Sequence, residues 1–273
     1  MASEPCFMCG KSRKMTPEHF FPIWMRKFVP IKQTTSINYA TGVKIRRDVG
    51  TKTVRNICKD CNNVWMSKLQ DLAKPHIVPM ITASTWNSIN SDAAAAISSW
   101  VVMTSMVCEA THPKKIYGVS QDERAAFAEN QTIADGWRVW IGRSPHAPNR
   151  GYSHRPWVTY SESGDGKTPF RLEDLTVPVG QCTIMLVGKL IVLAVSGQHP
   201  PLRTEILPLW GMLRVWPEVD VTVNPPSKEF PAQYEERVLF DVLQGNLVDP
   251  LGVSHRPHGT TPIHHAAGLR NRS

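Results

Sequence analysis

The stretch "CKDCNN" (residues 58–63) holds two of the chain's six cysteines three apart and follows them at once with an asparagine pair. "CFMC" (residues 6–9) repeats the spacing near the N-terminus, so Cys6, Cys9, Cys58 and Cys61 make two C-x-x-C knuckles. A knuckle holds both thiolates on one side of a tight turn, and two knuckles together supply four ligands to one tetrahedral ion. In an intracellular chain this predicts a structural zinc (Zn2+) rather than disulfides, with redox use of a C-x-x-C pair as the alternative. The 48 residues between Cys9 and Cys58 exceed what a zinc ribbon usually spans, so an insertion is expected there. Cys108 and Cys182 stand apart and read as small buried hydrophobes.

The 273 residues, 41% of them hydrophobic, suit a packed globular core, either one large domain or a small module joined to a larger one. The net charge of +8 is unevenly spread: residues 1–74 carry 14 Lys and Arg against 5 Asp and Glu, whereas residues 75–273 carry 17 against 18. A basic segment of this kind attracts polyanions, nucleic acid first among them. The plain alternative is a solvated basic face. The most apolar stretch, residues 183–197, is interrupted by Gly188 and Lys189, so no membrane span is expected. "MASEPCFMCG" has no signal-peptide pattern, and the expected location is cytoplasmic.

After the first knuckle, Pro17, Pro22 and Pro30 confine regular structure to short pieces. Residues 43–47 and 52–57 look extended and are joined by the turn-like "DVGT", which predicts a hairpin running into the second knuckle. Residues 61–73 show helical spacing, with Trp65, Leu69 and Leu72 on one face, and this helix should end before Pro75. Knuckle, hairpin, knuckle, helix is the order of a treble-clef zinc unit. Residues 92–109 predict a core helix carrying Ile97, Trp100, Val101, Thr104, Val107 and Cys108 at helical spacing, with Asp92 as its cap. "SQDE" (residues 120–123) fits a capping box for a second helix.

Beyond it, "WRVWIG", "CTIMLV", "LIVLAVSG" and "MLRVWP" are short apolar runs bounded by Gly and Pro, which is strand patterning. Residues 142–156 read as a loop. The expected fold class is α+β: an N-terminal treble-clef ββα-metal zinc module over residues 1–78, then an α+β domain with an antiparallel sheet over 84–250. A basic, His-rich, disordered tail is expected over 251–273.

Between the knuckles, "PEHFFP" (residues 17–22) places Glu18 beside His19, and Asn62 directly follows the last cysteine. A carboxylate and an amide oxygen are hard ligands suited to Mg2+ or Mn2+, and a neighbouring imidazole can accept a proton from water near neutral pH. Together they could hydrolyse a phosphodiester. Taken singly, His19 could be a satisfied histidine of a zinc fold and Asn62 a helix cap. Trp24 and Trp65 could stack on bases, although the helical partners of Trp65 favour core packing.

"CFMC", "PEHFFP" and "CKDCNN" resemble the His-Asn-His (HNH) endonuclease superfamily with its ββα-metal core. The arrangement is similar to endonucleases of the phage endonuclease VII type, and "CNNVWMSKLQ" resembles a helix found in bacterial and phage HNH proteins. The match spans about residues 4–74. It implies that Cys6, Cys9, Cys58 and Cys61 bind zinc, that Glu18 and Asn62 bind a catalytic Mg2+ or Mn2+, and that His19 is the general base. The implied partner is DNA, with RNA indistinguishable by charge; Lys44, Arg46, Arg47 and Lys68 are candidate phosphate contacts, and a homodimer would suit double-strand cutting. The acidic position holds Glu, one methylene longer than the commoner Asp, and the expected helix contains no histidine, His76 falling beyond Pro75. The alternative from another class is a non-catalytic zinc module that binds nucleic acid or protein.

Overall fold

The two knuckles meet because β1 (Met15–His19) pairs antiparallel with β4 (Thr53–Cys58), setting Met15 opposite Cys58. The computed structural model describes residues 4–29, 34–37, 44–47, 53–82, 86–111, 117–144, 150–157, 180–197, 202, 204–217, 224–226 and 228–230. Pro17 has no N–H to give to a ladder, and the register slips there: Thr16 faces Ile57 but Glu18 faces Val54, so two β4 residues stand opposite Pro17. The expected hairpin of residues 43–47 with 52–57 does not form. Instead β3 (Lys44–Arg47) pairs with β2 (Thr34–Ile37), and β4 is paired with the strand that follows the first knuckle.

The helix after the second knuckle corrects the sequence reading twice. It opens as a widened π turn (Cys61–Met66) and continues as α1 (Ser67–Thr82), straight through Pro75 and Pro79. The prolines are four apart and so share one side, away from the buried Leu69, Ala73, Ile77, Met80 and Ile81. On that side water can satisfy the carbonyls that lose their helical N–H partner, and burial of the opposite face offsets the cost. Leu72, expected on the apolar face, is 62% exposed, while Trp65 packs edge-on against Phe127.

α2 (Ser91–Glu109) forms as expected, but its cap is Asn90, whose side chain accepts from the Ala93 N–H; Asp92 sits in the first turn. α3 (Gln121–Asn130) begins at Ser120, whose hydroxyl accepts from the Glu123 N–H. The Glu123 carboxylate accepts from the Trp137 indole at 2.6 Å.

β5 (Arg138–Arg143), β6 (Arg150–Trp157), β7 (Gly180–Val187), β8 (Leu190–Ser196) and β9 (Leu213–Trp216) form one antiparallel sheet in the order β6-β7-β8-β5-β9. Part of the stretch expected to be a loop is therefore strand β6. It lies at the sheet edge, where Pro156 is tolerated. α2 packs across one face of the sheet, and a 3-10 turn (Thr204–Trp210) with Phe230 covers the other, so β7 and β8 are buried along their whole length.

One apolar core runs from Cys6, Phe7 and Met8 through α1 and α2 to Val215. α2 is long and apolar enough to cross a membrane, but 72% of its apolar window is buried against the rest of the chain, as in a core helix. The expected tail, residues 251–273, lies outside the described residues.

Candidate functional site

The first knuckle is a tight turn: the Gly10 N–H reaches the Cys6 carbonyl at 2.8 Å, and Gly10 takes the left-handed backbone (φ +71°) that suits a residue without Cβ. Opposite it, the end of β4 and the π turn present Cys58 and Cys61. Cys6 Sγ lies 3.8 Å from Cys61 Sγ, Cys9 Sγ lies 3.8 Å from Cys58 Sγ, and all four sulfurs fall within 4.8 Å of one another. Sulfurs about 2.3 Å from one tetrahedral ion stand about 3.8 Å apart, far beyond a disulfide bond of about 2.05 Å.

Backbone N–H groups point at the sulfurs, Cys58 N at Cys6 Sγ (3.3 Å) and Cys61 N at Cys58 Sγ (3.5 Å). The sulfur–sulfur contact with Cys61 holds the Cys6 thiol down at about 4, and the same contact pushes Cys61 up, while burial pushes Cys58 up. The four thiols are placed to hold one metal ion such as zinc.

Beside this cluster, Pro17, Glu18, His19, Pro22, Ile23, Trp24, Asn62, Asn63, Ser67 and Gln70 line a cleft of about 410 Å³. The end of β1 and the following 3-10 turn (Ile23–Lys27) form one wall, and the start of the helix forms the other. Glu18, His19 and Asn62, the acid, base and amide picked from sequence, therefore border one space. Asn62 is not the helix cap: it lies inside the π turn, and its amide donates to Thr16 Oγ1 and to the Pro17 carbonyl, both at 3.1 Å. The helix is thereby tied to β1, and the amide oxygen remains as an acceptor.

Glu18 is 6% exposed, and burial pushes its carboxyl up to about 7, against the pull of the His19 backbone N–H and of the Gln70 amide, which donates to Oε1 at 3.4 Å. Burial, and then the nearby charge of Arg26, lower the pKa of His19, which favours the neutral imidazole.

Asn63, Ser67 and Gln70 were missed in the sequence, yet their i, i+4, i+7 spacing from the second knuckle marks one polar helix face. Trp24 borders the cleft, edge-on to Phe28, with Lys74 Nζ 5.8 Å from its ring centre. Lys68 is exposed on α1 and is not among the lining residues. Lys44, Arg46 and Arg47 lie on β3, and their side chains are outside the described residues. The longer helix does take in His76, but at about 1.5 Å per residue it stands about 20 Å along the axis from Asn62 and does not line the cleft.

The knuckle is also held from behind. Arg124 on α3 donates to the Phe7 carbonyl (2.9 Å), to Val119 and to Gln121 Oε1 (3.1 Å), with its guanidinium over the Phe7 and Tyr117 rings. Gln121 Nε2 donates to the Met8 carbonyl at 3.1 Å. Glu109, fully buried, faces Arg124 at 3.7 Å and accepts from the Gly118 and Val119 N–H groups; burial pushes its carboxyl up to about 8. No protein-family model, no curated protein and no solved structure matches this chain.

Proposed function

We propose that the chain is a metal-dependent endonuclease of the HNH kind, hydrolysing DNA phosphodiester bonds, with a zinc-bearing treble clef as its scaffold. The observation that carries this reading is the meeting of Glu18, His19 and Asn62 in one cleft next to the four-cysteine cluster. Four thiols at tetrahedral spacing suit zinc, and a soft sulfur set of this kind selects it over Mg2+. A carboxyl and an amide oxygen lining one cleft suit a hard cation, so Glu18 and Asn62 are the residues that would hold Mg2+ or Mn2+. Bound there, the ion supplies positive charge to the phosphate and the departing oxygen.

The chain's own groups do the rest. His19 takes a proton from the attacking water, whose oxygen bonds to phosphorus as the bond to the 3′ oxygen breaks; the departing 3′ oxygen takes its proton from solvent water, leaving 5′-phosphate and 3′-hydroxyl ends. The zinc cluster fixes the start of the helix, and with it Asn62, against β1, which carries the other two residues. The basic N-terminal quarter supplies the electrostatic attraction for DNA. The location that goes with this reading is cytoplasmic.

The test is nicking of supercoiled plasmid with Mg2+, Mn2+ or EDTA, run beside His19→Ala of equal zinc content and melting temperature. Ion-dependent nicking should fall by roughly 10²–10⁴-fold in the variant, the usual worth of a general base. Equal cleavage by both proteins would remove His19 as the base. A second reading, a non-catalytic zinc module that binds nucleic acid, draws support from the near-complete burial of Glu18. It is the reading that stands if zinc-loaded protein binds DNA in a salt-sensitive way and takes up no second ion.

A further inference from the structure

We propose that Gln70 is the positioning residue for the Glu18 carboxylate, the device that lets a glutamate serve as metal ligand in this cleft. The inference rests on the nuclease reading and deepens it. A glutamate at this place has one more methylene than an aspartate and one more torsion to restrain. Glu18 sits on β1 directly after Pro17, opposite the bulge that the extra β4 residue makes, and its outer torsions are left to be settled by contacts. Gln70 lies across the cleft on α1, two turns beyond Asn62, and its Nε2 donates to Glu18 Oε1.

At 3.4 Å this hydrogen bond is long, so it orients the carboxylate rather than neutralising it. The His19 backbone N–H acts on the same carboxyl, so a donor on the helix and a donor on β1 together set its orientation. Gln70 is also pre-set: it belongs to the helix whose first turn Asn62 ties to Thr16 and Pro17, so both proposed ligands are oriented from the same rigid element. A glutamine suits this task because it donates without bringing a charge of its own next to the carboxylate.

The test is titration of zinc-loaded, folded full-length protein with Mn2+, read by calorimetry and by the electron paramagnetic resonance of the free ion. Wild type is compared with Gln70→Met, which removes the donor at similar volume, with Gln70→Ala as the second donor-less variant, and with Glu18→Ala. Wild type should bind one Mn2+ and Glu18→Ala none. Both Gln70 variants should bind it 10–100-fold more weakly, the usual effect of losing an outer-shell partner. Their nicking activity should return at high Mn2+, because the catalytic groups themselves are intact. Wild-type affinity in either folded Gln70 variant overturns the positioning role and leaves the nuclease reading standing. No Mn2+ binding by wild type overturns both.

Discussion

Replacing Arg124 with Met tests whether the sheet-side helices hold the metal knuckle in place. The guanidinium is 4% exposed and satisfies three acceptors, the carbonyls of Phe7 and Val119 and the side-chain oxygen of Gln121. Methionine refills much of the volume between the Phe7 and Tyr117 rings but donates to none of them. A buried acceptor left without its donor costs about 1–3 kcal/mol, and removing a buried cation returns part of its desolvation cost. The expected loss is therefore about 3 kcal/mol near pH 6, where Glu109 keeps its proton.

Above about pH 8 that carboxyl ionises in the wild type beside Arg124, so the variant should lose more, approaching the roughly 3–5 kcal/mol of a broken buried ion pair. Urea unfolding at fixed zinc, with the midpoint read at unchanged slope, measures both values. Phe7 and Met8 lie between Cys6 and Cys9, so transfer of zinc to a coloured chelator should also quicken. A loss under about 1 kcal/mol at both pH values, with unchanged zinc transfer, would refute the reasoning.

Zinc should be found at one ion per chain, and Cys58→Ser or a strong chelator should remove it. Because the cluster is continuous with the main core, the melting temperature should then drop by more than about 10 °C; an unchanged melting curve on full removal would contradict a structural role. Glu109 also sets a pH dependence. Its folded-state pKa of about 8 lies above the ordinary 4.5, so between these values the folded chain binds more protons than the unfolded one. Stability should fall as pH rises through that window, by on the order of a few kcal/mol, and level off above it. Glu109→Gln should flatten that part of the profile, and parallel profiles for the two proteins would count against it. Gly188→Ala should cost at least about 2 kcal/mol by thermal or urea unfolding. The residue has φ +59° in the β7–β8 turn, and a Cβ there would meet the Ile81 carbonyl at 2.5 Å.

The fold was legible where a local pattern and the final packing agree. α2 repeats apolar residues at helical spacing, and β7 and β8 are short, mostly apolar runs because both of their faces are covered. It was illegible where packing overrides propensity. Pro75 is a stop signal read locally, yet α1 continues because the prolines fall on the water side and Ile77, Met80 and Ile81 reach the core. β6 escaped notice for the opposite reason: Arg, Gly, His and Pro fill an edge strand whose partner, β7, is supplied by a distant part of the chain. The pairing of β1 with β4 was hidden in the same way, since extended segments do not announce their partners and the nearest one, β3, goes elsewhere.

The site divides along the same line. Glu18, His19 and Asn62 could be picked out because adjacency to a neighbour or to a cysteine knuckle is written in one dimension. Asn63, Ser67 and Gln70 could not, because polar residues at i, i+4 and i+7 are what the solvated face of any helix shows. What turns that face into a wall of a cleft is the strand opposite it, brought there by the ladder that carries Met15 to Cys58 and by the cysteines that close the cluster beyond it. The same contact reverses the weight of Glu18. Read alone, it is a longer side chain where a shorter one would hold an ion more firmly; with Gln70 facing it across the cleft, the extra methylene becomes the length that reaches a donor on the helix.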